Sequence, residues 1–402
     1  MAQQRWNLPS QVADATRSLA QAHTQIADLC VQIQQIPAPT GQEEERAAWV
    51  MAAMRRLGLA DVDQDDERNV YGRIPGQKPG PALMISAHTD TVFPLSTDLS
   101  VRRDPQDGRI YGPGIGDNST GVAGLLTLAE TLQRLAASPA GRPPVDVWFV
   151  ANSGEEGLGD LKGMRAAVTR LTALPHGLGA SIVIEGMGLS RIVHRALGSK
   201  RLRITAHAPG GHSWGDFGSG SAIHVLVRLA SDLSRLKVTR RPKSSFNIGR
   251  IWGGTSVNTI AQEAHLELDM RSESPQALAE LVVQAQTIVE RHQQAVATEP
   301  GVRIEMAVIG DRPAGEIPKD HFLVQAASRA LTAAGVSETS DMRISSTDAN
   351  IPLSQGIPAV CVGITLGGDA HRTGEWINPD PLGRGCAHLL ILTWWAAEWL
   401  AA

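Results

Sequence analysis

The chain has 402 residues, 42% apolar and 19% charged, enough for two globular domains of ordinary soluble composition. A formal charge of −4 without any Lys/Arg-dominated stretch argues against a nucleic-acid partner. The three scattered cysteines, Cys30, Cys361 and Cys386, make no Cys-x-x-Cys pair and no disulfide framework, so a cytoplasmic setting is expected.

Residues 1–10 lack the apolar core of a signal peptide, and the apolar tail 389–402 is too short to span a bilayer and carries Glu398, so no membrane association is expected. Residues 10–36 place Leu19, Ile26, Leu29 and Ile33 at helical spacing until Pro37 and Pro39 stop the pattern. A helix over 43–57, a strand over 69–74 and a turn over 76–80 follow. The apolar run 83–87 then reads as a buried strand ending in His88-Thr89-Asp90. Residues i and i+2 of an extended segment share a face, so His88 and Asp90 suit a metal ligand and the carboxylate that orients it. Turn chemistry or a satisfied edge histidine is the commoner explanation of a lone pair of this kind, so the other ligands must come from the rest of the chain.

A loop over 91–116 delivers Asp117 just ahead of a helix that runs to about 136, where the ordinary role of an aspartate is a helix N-cap. A strand over 145–150 leads to Glu155-Glu156, and a strand over 180–184 ends in Glu185. Apolar strands alternating with helices, each ending in acids or a histidine, match an open α/β sheet with ligands beyond the strands' carboxyl ends. A glutamate there calls for a positive charge, and a bound cation is the economical candidate.

The texture changes near 196. Segments 201–208, 264–271 and 302–308 alternate apolar and polar residues, the pattern of half-exposed antiparallel strands, with helices over 221–236 and 276–297 between them. This predicts a first part of one domain over 1–195, an inserted α+β domain over 196–311, and the return of the first domain over 312–402. The last part holds a helix over 322–334, a strand over 357–362 and the loop 367–372 with His371.

His88, Asp117, Glu156, Glu185 and His371 thus combine imidazoles and carboxylates at strand ends or loops. One bridging carboxylate plus one histidine and one carboxylate per ion would hold two ions, and the absence of thiolate suits Zn, Mn or Co.

This set, with Gly116-Asp117-Asn118, Gly154-Glu155-Glu156-Gly157, Gly210-Gly211-His212-Ser213 and Ala370-His371-Arg372-Thr373-Gly374-Glu375, resembles the M20 family of dinuclear metallopeptidases. That family includes glutamate carboxypeptidases, acylamino-acid hydrolases and peptidase T-like enzymes. The resemblance covers nearly the whole chain and departs at Arg372 and Trp376, where a small residue and a tyrosine are commoner. It implies a zinc-exopeptidase-like catalytic domain, a mixed α/β sheet flanked by helices, carrying an inserted α+β lid and dimerisation domain. It also implies two divalent ions per subunit, most simply zinc. His88 and Glu185 would bind one, Glu156 and His371 the other, and Asp117 would bridge. Asp90 would orient His88, and Glu155 would be the general base on a metal-bridging water.

By the same resemblance, His212 would reach the partner subunit's site in a homodimer and stabilise the oxyanion, while Asn258 and Arg271 would grip substrate. Strand alternation independently puts Arg271 on the polar face, where a guanidinium can clamp a carboxylate. The expected activity is hydrolysis of an amide bond in a peptide or N-acyl amino acid. Glu185 favours the carboxypeptidase and deacylase branch over an aminopeptidase or dipeptidase. A catalytically silent binding protein on the same fold is the alternative of another class; retention of Glu155 beside all five ligands argues against it.

Overall fold

A computed structural model describes residues 6–402. It divides into two compact units, one made of the described residues through Arg195 together with Glu316–Ala402, the other of Ala196–Gly315.

The first unit is built on a mixed sheet. Its strands lie in the order Ala60–Gln64, Val70–Ile74, Val147–Asn152, Ala82–His88, Leu178–Met187, Ala359–Thr365 and Arg191–Ala196. The four from Val147–Asn152 to Ala359–Thr365 are mutually parallel, and the flanking pairs are antiparallel. Strands Ala82–His88, Val147–Asn152 and Ala359–Thr365 are buried at every residue, as parallel strands covered on both faces must be. Helix Gly121–Leu135 packs on the sheet and on the terminal helix Leu382–Ala401. The terminal helix comes close enough to Ala359–Thr365 that a Cβ on Gly385 would fall 1.9 Å from the carbonyl oxygen of Ile364, so only glycine fits.

The helical stretch read over 10–36 is two helices, Ser10–Ala20 and His23–Gln34. No glycine or proline marks the break. The first helix packs on Leu382–Ala401 and the second mainly around Gly121–Leu135 and the segment before it, so different partners impose the turn. None of the described helices is long and apolar enough to cross a membrane.

The second unit is a four-stranded antiparallel sheet in the order Ser244–Gly253, Glu263–Ser272, Gly198–His207, Arg303–Arg312. Leu202, Ile204, Ala206, Leu266, Leu268 and Met270 bury one face against helices Ala222–Leu233 and Pro275–Val296. The side chains of Ser221 and Ser274 cap those helices. The opposite face is laced by ion pairs such as Arg201–Asp269 and Arg203–Glu267. Strand Ser244–Gly253 escapes a sequence reading because it is mostly exposed and a register shift between Ile248 and Arg250 breaks its alternation.

His388, within the terminal helix, is fully buried; its Nε2 lies 3.1 Å from the carbonyl of Ala327, and burial pushes its pKa down to about 4 from 6.5. Between those values the unfolded chain takes up a proton that the folded chain refuses. Stability is therefore fully present above pH 6.5 and falls towards pH 4, by about 3 kcal/mol from this group. His388→Gln keeps a donor for Ala327 and removes the titration. Calorimetry at pH 7 and pH 4.5 should show a smaller drop in Tm for the variant than for the wild type, and equal drops would assign acid sensitivity elsewhere.

Candidate metal centre

The parallel strands deliver their carboxyl ends side by side. His88 ends one strand and faces Asn152 in register, Glu185 faces Gly363 across the next pair, and Glu155-Glu156 follow the strand that ends at Asn152. His88 Nε2 lies 3.1 Å from Asp117 Oδ1 and 3.7 Å from Glu185 Oε2. The other oxygen of the same aspartate, Oδ2, lies 3.2 Å from His371 Nε2, which is itself 3.0 Å from Glu156 Oε1. Two groups result, His88–Asp117–Glu185 and Asp117–Glu156–His371, and within each the candidate ligand atoms lie within 4.8 Å of one another.

Asp117 is placed by irregular backbone (φ −114°, ψ 92°) and is not the cap of the following helix. That role falls to Asn118, whose Oδ1 accepts from Gly121 N (3.1 Å) and from Gly186 N (2.8 Å), while its Nδ2 donates to the Ile184 carbonyl. Asn118 therefore stitches the Asp117 loop to the strand that carries Glu185. The approach is so close that a Cβ on Gly186 would stand 2.0 Å from the Gly116 carbonyl oxygen.

Asp90 does more than face the His88 ring. Its Oδ1 accepts from Glu155 N and its Oδ2 from Glu156 N, both at 2.9 Å, and Thr40 Oγ1 donates to Oδ2 at 2.9 Å. His88 Nδ1 lies nearer the Asp90 backbone carbonyl (3.1 Å) than the carboxylate (3.5 Å). With Nδ1 held there, Nε2 is the nitrogen turned to Asp117 and Glu185. Beneath them Arg46, almost wholly buried, donates to the carbonyls of Ile36 and Thr89, and its charge faces Asp90. Asp348, in the segment 345–350, is fully buried and accepts from Asn152 Nδ2 at 2.7 Å; burial pushes its carboxyl up to about 7. Arg46 and Asp348 carry no local sequence signal for these contacts, since Thr89 lies 43 residues from Arg46 and Asn152 lies 196 from Asp348.

The site's electrostatics favour added positive charge. Burial opposes ionisation of Asp117, yet hydrogen bonds from His371 and His88 hold its carboxyl well below the usual range. The Asp117 carboxylate raises His371 to about 9. Burial pulls His88 down, but Asp117, Asp90 and Glu185 outweigh it and raise the imidazole well above its ordinary value. Burial, with the Asp117 charge, pushes Glu156 up to about 7. Glu156 Oε1 is buried and accepts no hydrogen bond despite its approach to His371. Such orphaned acceptors are rare in folded chains. The imidazole and carboxylate donor sets fit a divalent cation in each group, and Glu156 Oε1 adds an unsatisfied acceptor to the second.

His212, Asn258 and Arg271 all belong to the second unit. Strands Gly211–His212 and Thr259–Ile260 pair, and Ser213 N donates to the Asn258 carbonyl, so His212 and Asn258 are neighbours. His212 Nδ1 accepts from Trp214 N (3.2 Å) and Gly215 N (3.3 Å), which leaves the ring proton on the exposed Nε2. Arg271 stands apart, near the far end of strand Glu263–Ser272, with its Nε donating to Asp269. Of the residues that depart from the family pattern, Arg372 is exposed and pairs with Asp369, while the Trp376 ring is covered by the Arg109 guanidinium at 3.7 Å.

The family model of Peptidase family M20/M25/M40 matches residues 84–393. The chain is 26% identical over 347 residues to the succinyl-diaminopimelate desuccinylase of Corynebacterium glutamicum, covering 85% of this chain and 88% of that one. A tripeptidase of Staphylococcus aureus shares the fold at a TM-score of 0.73 and 21% identity, over 94% of this chain and 99% of that one. So does a dinuclear metal-binding peptidase of the M20 family from Bacillus subtilis, at a TM-score of 0.64 and 18% identity, over 94% and 98% of the two chains. With well over half its length, and every one of the five candidate ligands, inside the matched span, the chain belongs to Peptidase family M20/M25/M40.

Proposed function

We propose that this chain hydrolyses an amide bond in a peptide or N-acyl amino acid, using two divalent ions. The observation that carries the reading is the Asp117 carboxylate, each oxygen of which faces a separate histidine and carboxylate. His88 and Glu185 would hold one ion, Glu156 and His371 the other, with Asp117 shared; the thiol-free donor set favours zinc and admits Mn or Co. Ions bound there would polarise the scissile carbonyl and acidify water to near neutrality.

The chain's own residues do the rest. Glu155, fixed through its backbone N–H on Asp90, takes a proton from the attacking water and returns it to the leaving nitrogen. The Nε2–H of His212 donates to the oxyanion as it forms. The terminal amino groups of Arg271 receive a substrate carboxylate, its Nε being engaged with Asp269. A free α-carboxylate is thus the expected recognition element, which favours a carboxypeptidase or deacylase, and the desuccinylase relative has the matching name. Three buried, unpaired cysteines support a reducing, cytoplasmic setting.

A homodimer is part of this reading. Register puts Arg271 opposite Ser199 and Glu263 opposite His207, so Arg271 lies about 27 Å along its strand from the end nearest the His212 ribbon. A substrate that touches both His212 and Arg271 therefore draws on two chains. The ten-residue strand Ser244–Gly253 is an open sheet edge with Ile251 and Trp252 exposed, and Ile223 and Val227 are exposed on the helix Ala222–Leu233 that packs against it. An apolar open edge of this kind is suited to pairing with a second copy.

Release of free amine from a panel of dipeptides and N-acyl amino acids, with added Zn, Mn or Co and with chelator, tests the activity. Chelator-sensitive turnover of substrates with blocked amino ends, but not of those with blocked carboxyl ends, is expected; the reverse preference would select an aminopeptidase. Glu155→Gln should retain its metal and its Tm while kcat falls about 10²- to 10⁴-fold, and undiminished turnover would remove the assigned base. Mixing inactive Glu155→Gln with inactive His212→Ala should restore about a quarter of wild-type activity, because each mixed dimer then has one complete site. No recovery after verified subunit exchange would place His212 in its own chain's site or outside catalysis.

A further inference from the structure

Glu375 is wholly buried four residues after His371, and its carboxylate contacts backbone amides of a segment some 260 residues away. Oε1 accepts from Gly116 N and Asp117 N, both at 2.7 Å, and Oε2 from Gly114 N at 3.3 Å. Among the described residues no Lys or Arg pairs with it. A buried carboxylate held by amides alone is a costly choice for packing, which an apolar side chain would serve better.

What it holds is the segment least able to hold itself. The non-helical backbone at Asp117 and Asn118 gives the Asp117 amide no place in a helix or strand ladder. His371 is similarly exposed to displacement: it sits in the left-handed region (φ +64°), which side-chain-bearing residues enter only when their surroundings enforce it. Glu375 joins the two. Its backbone N donates to the Arg372 carbonyl, closing the His371 turn, and its carbonyl accepts from Gly112 N. The next residues, Trp376 and Ile377, pair with Tyr111 and Ile110. One residue therefore fastens the His371 turn by its main chain and the Asp117 loop by its side chain. Between them lies the 3.2 Å approach of His371 Nε2 to Asp117 Oδ2.

We propose that Glu375 is the positioning residue that sets Asp117 against His371, and thereby the affinity of the chain for its pair of divalent ions. This rests on the reading of Asp117 as the shared ligand. Ligand constellations hold their function only within about 0.5 Å, and no local secondary structure supplies that precision for Asp117. Asp90 does the equivalent for Glu155 and Glu156, whose consecutive amides it accepts.

The test is metal binding by the full-length protein. Wild type, Glu375→Ala and Glu375→Gln are stripped with chelator and titrated with Zn or Mn alone by calorimetry, and ions per chain are counted by elemental analysis after desalting. Glu375→Gln retains the oxygen that accepts from Gly116 and Asp117 and nearly the same volume, so it keeps the fold while setting an amide group against Gly114 N. Glu375→Ala should bind about 10- to 100-fold more weakly and retain fewer than two ions, with Glu375→Gln intermediate. In both, kcat should fall at subsaturating metal and recover in part with excess metal, with KM little changed. A role confined to folding would lower Tm and leave the folded protein's metal affinity where it was. Wild-type affinity and stoichiometry in both folded variants would overturn the proposal while leaving the hydrolase reading intact. A wild type that takes up no ions would overturn both.

Discussion

The centre is governed by like charge in a confined space. Asp117 offers one oxygen to each group, and Glu156 and Glu185 crowd the same region with only two imidazoles to offset them. Carboxylates this close repel strongly where water is scarce. Without a cation, protons supply the compensation, which is why His371 is raised to about 9 while Asp117 is held low. Glu156 moves the opposite way, up to about 7, because burial and the Asp117 charge both disfavour its ionised form. Divalent ions bound there would therefore compete with protons for one site, and their entry would expel protons from the imidazoles.

A site that repels itself needs restraint from outside, and the restraint is main-chain hydrogen bonding. The parallel strands set the spacing of His88 and Glu185 through their register. Asp90 fixes the Glu155-Glu156 amides, Asn118 binds the Asp117 loop to the Glu185 strand, and Arg46 holds the Thr89 carbonyl between His88 and Asp90. Bonds in which one partner is charged contribute about 1.5–3 kcal/mol each, more than neutral ones. They also put the energy where the ligands' positions are decided.

How much of this the sequence discloses depends on the range of each interaction. His88, Glu156 and Glu185 follow buried apolar runs, so their common location comes from strand chemistry and the rule for α/β sheets. Asp117 looks like a helix cap because the competing cap, Asn118, differs from it by one position and one hydrogen-bond geometry. The His88-Thr89-Asp90 spacing suggests a histidine and its orienting carboxylate, but whether Asp90 also reaches the Glu155 and Glu156 amides depends on sheet register. Glu375 lies outside local reasoning altogether, its partners being more than 250 residues away. The same limit applies to the fold. The break between the first two helices and the edge strand Ser244–Gly253 are both settled by what packs against them.

The place where the second unit interrupts the first also follows from the sheet. The chain leaves after Arg191–Ala196, an antiparallel strand paired to Ala359–Thr365 through Val193–Cys361 and Ile192–Val362. It leaves after the parallel strands that carry His88 and Glu185 and that lead to Glu155-Glu156, all of which precede it in the chain. An insertion there lengthens a peripheral connection, whose closure entropy grows only logarithmically with length. The registers that space His88 and Glu185 do not depend on it. Second-unit residues such as Arg271, proposed above to receive the substrate, can therefore change without disturbing the carboxylates and imidazoles of the first unit. A constant chemistry with variable substrate selection is what this connectivity permits.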